Sequence, residues 1–273
     1  MNTPIHTTKF SFGKWCFLFI GGIILFTIAY AFATIPELYI GNNWISGTIS
    51  FICGVLLLLM YRWIVRSYEE RKIEELSMQK CLKHTGIGFL WGMLMMAAII
   101  GVFAICGWYR ITGCSFDIAA IYRYLMAYFV VAVGEEIVFR GIMFRLFDSQ
   151  FNLWVALIFS SFLFGAAHII NPNATVVSTV GISLASGVLF GLLFKYYRTL
   201  WVPIGIHWSW NFVQGTVAGC PVSGGAPDYS ILESFTSGPE LFTGGLFGPE
   251  ASVITMAIGF VMCVWIGIKL FKR

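Results

Sequence analysis

One stretch decides how the rest of this chain must be built. Gly134-Glu135-Glu136-Ile137-Val138-Phe139-Arg140 sets two adjacent carboxylates and a guanidinium inside Tyr128 to Phe147, a run otherwise apolar and aromatic enough to lie in a bilayer. An ionisable group at membrane depth costs at least about 2.5 to 3.5 kcal/mol on the insertion scale, so three together need partners or a chemical role. On a helix Glu136 and Arg140 fall at i and i+4 on one face, and Glu135 is turned about 100° away. One carboxylate can be held by the arginine while the other serves something else.

The composition agrees with that setting. Of 273 residues 58% are hydrophobic and 11% charged, against about 25% charged in an ordinary soluble domain. This is the signature of an integral, multi-pass membrane protein, with the plasma (inner) membrane as the expected location. The net charge of +4 says less than its distribution, and no nucleic-acid partner is expected. The first apolar run is long enough to span and no small-residue cleavage site follows it, so it reads as a retained helix.

Eight candidate spans follow from hydropathy: Trp15 to Ile35, Trp44 to Val65, Ile87 to Tyr109, a run from near Phe116 through the acidic stretch, Leu153 to Ile170, Thr175 to Tyr197, Val202 to Ala218, and Ala251 to Phe271. The expected fold is all-α, a polytopic membrane helical bundle in one domain over 1–273, with a catalytic core over about 116–218. The charge-rich stretch between Arg66 and Thr85 reads as a solvated surface helix. The Gly/Pro/Ser-rich stretch from Gly219 to Glu250 reads as an extended loop. With the N-terminus inside, the basic residues fall on the cytoplasmic half except Arg110 and Arg123, which puts both termini in the cytoplasm. The seven cysteines form no C-x-x-C pair; Cys114 and Cys220 share the non-cytoplasmic side and are the one candidate disulfide.

Two histidines lie inside apolar spans: His168 in Phe164-Gly165-Ala166-Ala167-His168, and His207 in His207-Trp208-Ser209-Trp210-Asn211. His6 and His84 lie in polar segments and read as inert. If the spans on either side of Asp148 to Asn152 are antiparallel, Glu135 lies roughly 18 Å and His168 roughly 24 Å from that turn. His207 and Asn211 lie about 10 and 16 Å from the same side. The four are expected to share one layer of the bundle, reachable from the cytoplasmic side.

Such a layer suits peptide hydrolysis. Glu135 fits a general base, with His168 helping to hold the water. His207 and Asn211 are donors for a developing oxyanion, and Glu136 with Arg140 fits a brace. Alternatively Glu135, His168 and His207 could ligate a divalent metal such as zinc that activates the water. Residue types leave both open. There is no G-x-S-x-G and no H-E-x-x-H, and Ser209 reads as core.

Glu135-Glu136-x-x-x-Arg140, Phe164-x-x-x-His168 and His207-x-x-x-Asn211, in that order on successive spans, resemble the three signature motifs of the CPBP family of CAAX prenyl proteases and bacteriocin-processing membrane proteases. The resemblance covers roughly Phe116 to Ala218. It implies an eight-helix intramembrane endopeptidase with a cavity opening to the cytosol, in which Glu135 activates water and Glu136, Arg140, His168, His207 and Asn211 complete the site. The implied substrate is a membrane-associated protein or peptide, a prenylated CAAX protein among the candidates. The rival readings are a non-catalytic membrane protein and a proton-coupled transporter using the same buried polar layer. The transporter should show an internal repeat, which the sequence lacks.

Overall fold

The computed structural model describes residues 9–272; His6 and Arg273 lie outside them. Six helices are long and apolar enough to cross a membrane: α1 Phe12–Tyr39, α2 Asn43–Glu69, α3 Met78–Ile105, α5 Leu153–Ile170, α6 Val176–Tyr197 and α8 Val253–Phe271. Two more carry the polar motifs. The helix α4 runs over 118–150 and contains a π-helical segment at Ile137–Phe144; α7 runs over 201–217, α-helical over Trp201–Asn211 and π-helical over Phe212–Val217. The chain is therefore the all-α polytopic bundle that its hydropathy implies.

Helix starts follow from local chemistry. The Asp117 carboxylate accepts from the backbone N–H groups of Ala119 and Ala120 at the head of α4, and Asn152 accepts from Val155 at the head of α5. Each satisfies donors that a helix start leaves without intrahelical partners. The helices α3 and α7 then approach closely, because a Cβ at Gly205 would overlap the Thr85 carbonyl oxygen and one at Gly88 that of Val202. Small residues are the usual means of close helix contact inside a membrane, and here they fix the helix that carries His207.

Three expectations are corrected. The stretch after Arg66 is not a solvated surface helix. Instead α2 ends at Glu69, 70–77 is not helical, and α3 begins at Met78. Glu69 and Glu75 are buried: Arg145 on α4 reaches Glu69 at 2.5 and 2.7 Å, and Arg71 pairs with both carboxylates. Alternating charge marks a solvated face only when no buried counter-charge waits nearby, and Arg145 is that counter-charge. The third span stops at Ile105; Tyr109–Cys114 forms strand β1, paired antiparallel with strand β2, Leu232–Thr236. The 219–250 connection thus contains a strand, with a helical turn at Glu240–Thr243 and 3-10 turns at Gly245–Phe247 and Pro249–Ala251.

All seven cysteines are free thiols, so Cys114 and Cys220 are not bridged. The ladder explains why. Cys114 faces Leu232, whereas the Cys220 sulfur sits 3.8 Å from the hydroxyl of Thr236, at the opposite end of β2. Arg123, one of the two exceptions to the basic-residue pattern, donates to Glu37 at 2.8 Å and to Asn43 at 3.2 Å, so its charge is balanced at that end of the bundle.

Removing one partner of a fully buried ion pair costs about 3 to 5 kcal/mol, whereas a partly exposed pair is worth about 1 kcal/mol or less. Arg145→Met should therefore lower the thermal midpoint of the detergent-solubilised protein clearly, and Arg123→Met should lower it little. Equal shifts for the two variants would contradict the burial assigned to the Glu69–Arg145 pair.

Candidate active site

The centre of the site is the buried Glu136 carboxylate. Its Oε1 accepts from Arg140 at 2.9 Å, one helical turn along α4, and from His207 Nδ1 on α7 at 3.0 Å. A carboxylate can only accept, so Nδ1 carries the proton and Nε2 is the free ring nitrogen. Arg140 is itself buried. It donates to the carbonyls of Ser186 and Gly187, which lie in the π-helical segment Ser183–Val188 of α6, and its guanidinium stacks on Phe164 and Phe190 at 4.4 and 5.0 Å. A π-turn widens the helix and turns carbonyls sideways. Four helices therefore meet on one ion pair, α4, α5, α6 and α7.

Glu135 sits on the other side of the imidazole. Its Oε2 is 3.9 Å from His207 Nε2 and has no hydrogen-bond partner among the described residues, while its Oε1 accepts from Tyr30 of α1 at 3.3 Å. The side chain keeps 18% exposure, where that of Glu136 has none. The two adjacent carboxylates thus flank one ring, one bonded to it and braced by the arginine, the other 3.9 Å away, and each has a second oxygen without a hydrogen-bond partner among the described residues.

His168 ends the α-helical part of α5. Its Nδ1 donates to the Phe164 carbonyl at 2.7 Å, a backbone oxygen that can only accept, which leaves its Nε2 free as well. His168, His207 and Asn211 line one narrow cavity of about 20 Å³, close to the room one water needs. Asn211 makes no direct hydrogen bond to the other predicted residues among those described. The far wall of the cavity comes from the 219–250 connection, through Ser223 and Glu250. Glu250 accepts from the Ser223 backbone N–H.

That wall revises the expected approach. His168 is at the end of α5 away from the 148–152 turn, and Glu250 directly precedes α8 at the same end. The end near the turn is filled by the buried pairs Glu69–Arg145 and Asp148–Lys195. The cavity is thus nearer the end away from the turn, and the 219–250 connection closes it there. Asn171 and Asn173 donate to the carbonyls of Ser223 and Gly224, and Gly224 donates to Phe247. Gly224 has φ +86, and a Cβ there would overlap the Pro172 carbonyl oxygen. Only glycine lets that layer seat.

Tyr30 and Glu250 had no signal in the sequence. Tyr30 is one of several aromatic residues in an apolar span, and Glu250 is the last of four acids in a loop. Among the described residues no three His, Cys, Asp or Glu side chains are grouped as a metal site, and one nitrogen of His207 is committed to Glu136.

The geometry can be set beside known proteins. Residues 117–213 match the family model described as type II CAAX prenyl endopeptidase Rce1-like. The matched segment holds every residue of the three motifs. No curated protein matches the chain.

The layer over the cavity can be probed through Cys220, which is fully buried and whose thiol burial pushes up to about 11. A thiol so raised and shielded reacts slowly. In detergent at neutral pH a maleimide should label the exposed Cys114 and spare Cys220, and Gly224→Val should make Cys220 reactive. Peptide mapping that finds Cys220 labelled as fast as Cys114 in the unchanged protein would refute the closed layer.

Proposed function

We propose that this Rce1-like chain hydrolyses a peptide bond in a membrane-associated protein or peptide, a prenylated CAAX C-terminus being the substrate class its family points to. One observation carries the reading: a single imidazole, His207, lies between two adjacent carboxylates, and one oxygen of each, Glu135 Oε2 and Glu136 Oε2, has no hydrogen-bond partner among the described residues. Buried polar groups are normally satisfied, and such exceptions beside two histidines that line a water-sized cavity suit a hydrolytic site.

In this reading Glu135 Oε2 takes a proton from water as the water attacks the scissile carbonyl. Nε2 of His168 helps to hold that water. Nε2 of His207 and the amide of Asn211 face the developing oxyanion, the imidazole donating when protonated. Glu136 and Arg140 hold the His207 ring and its Nδ1 proton, so that the reacting nitrogen is always Nε2. No step passes through a metal. We place the 148–152 turn and both termini in the cytoplasm from the basic residues that flank the spans.

Glu135→Gln is nearly isosteric and removes the base. Membranes from cells expressing the wild type should contain protein C-termini that are absent, or formed roughly 10²- to 10⁴-fold more slowly, with this variant, while its thermal midpoint stays near that of the wild type. Identical C-termini in both membranes would exclude the hydrolase. A large loss of stability in the variant would favour a structural role for the polar layer.

A further inference from the structure

The cavity has one acidic wall residue that the scheme above leaves unused. Glu250 is 6% exposed and shares the cavity with His168, His207 and Asn211. Its carboxyl is held at Ser223, whose backbone N–H donates to one oxygen and whose side chain also hydrogen-bonds to the group. It comes from the 219–250 connection, outside the Rce1-like segment at 117–213. Amide hydrolysis also needs a proton for the departing amine, because an amide anion is too poor a leaving group, and no residue assigned so far supplies it.

We propose that Glu250 is a further catalytic residue of this chain, the acid that protonates the leaving amine; the assignment rests on the endopeptidase reading. As the water oxygen bonds to the scissile carbon, a water proton passes to Glu135. When the tetrahedral intermediate collapses the C–N bond breaks, the carbonyl re-forms, and the nitrogen takes the proton of Glu250. The proton on Glu135 is then released to solvent and Glu250 takes one up from solvent, which restores both groups. The environment suits a donor. Burial pushes the Glu250 carboxyl above the usual carboxylate range, and the neighbouring His168 opposes that by less, so the proton persists to higher pH than on an exposed glutamate. The Ser223 N–H occupies one oxygen and orients the other.

A glutamate that merely fastened the loop could be replaced by glutamine, whose amide oxygen also accepts from Ser223. Glu250→Gln therefore separates the two roles. Membranes from cells expressing full-length wild type, Glu135→Gln or Glu250→Gln are compared for new protein C-termini over time, and Cys220 labelling reports whether the loop stays seated. The expected result is that Glu250→Gln slows the wild-type cleavages by about 100-fold or more with Cys220 still protected. Glu250→Gln within twofold of the wild type, or inactive with Cys220 exposed, overturns this assignment alone. If the wild type and Glu135→Gln give the same C-termini, the endopeptidase reading falls and this assignment falls with it.

Discussion

The structure depends on one buried carboxylate that two helices share. Glu136 has no exposure and accepts from Arg140 in its own helix and from His207 across the bundle. At such depth an unpaired charge is costly, and the pairing must also beat the loss of water around both ions. It does so because the arginine is satisfied on every side, by two carbonyls of the α6 π-turn and by the faces of Phe164 and Phe190. Those contacts draw α5, α6 and α7 onto α4, and they place His168 and His207 at one cavity. The polar layer thus orients the bundle as well as forming its candidate chemistry.

The same device recurs one turn on. The carbonyl of Gly141, inside the π-helical segment of α4, accepts from Tyr61 at 3.0 Å and from Arg145 at 2.7 Å. Arg145 is in turn neutralised by Glu69, and Tyr61 also donates to Glu75. Each buried guanidinium in this helix is met by a carboxylate together with carbonyls from a widened turn. Glu75 and Leu76 of the segment 70–77 are therefore part of the interior while Glu70, Lys72 and Glu74 are exposed, and Glu69 and Glu75 anchor the helix that carries Glu135 and Glu136. At the other end the 219–250 connection closes the cavity with backbone hydrogen bonds and glycine contacts.

Much of this was legible in the residues. The polytopic helical bundle follows from hydropathy, with six of the eight expected spans long and apolar enough to cross a membrane among the described residues, and the Glu136–Arg140 pair follows from i, i+4 spacing. Counting residues to a common turn, since helical rise fixes depth, anticipated that His168, His207 and Asn211 lie near one another; they line one cavity, and Glu135 approaches His207 without lining it. What stayed hidden required partners distant in sequence. Tyr30 lies 105 residues from Glu135, and no local pattern distinguishes it from its aromatic neighbours. Glu69 and Glu75 read as solvated because their counter-charge, Arg145, belongs to a helix 70 or more positions later. The loop reading of 219–250 missed β2, whose pairing strand lies before α4. Cys114 and Cys220 shared a side of the membrane, but a strand ladder put them at opposite ends.

The central claim is that Glu136 energetically couples α4 to α7 through His207. It can be measured directly with a double-mutant cycle on unfolding free energy in detergent, using Glu136→Gln, His207→Gln and the double variant. Contacting groups in one network typically couple by about 0.5 to 3 kcal/mol, whereas independent sites add within about 0.3 to 0.5 kcal/mol. The account predicts a coupling of at least about 1 kcal/mol. Additive effects of the two substitutions would show that the shared carboxylate does not hold the helices together, and would contradict it.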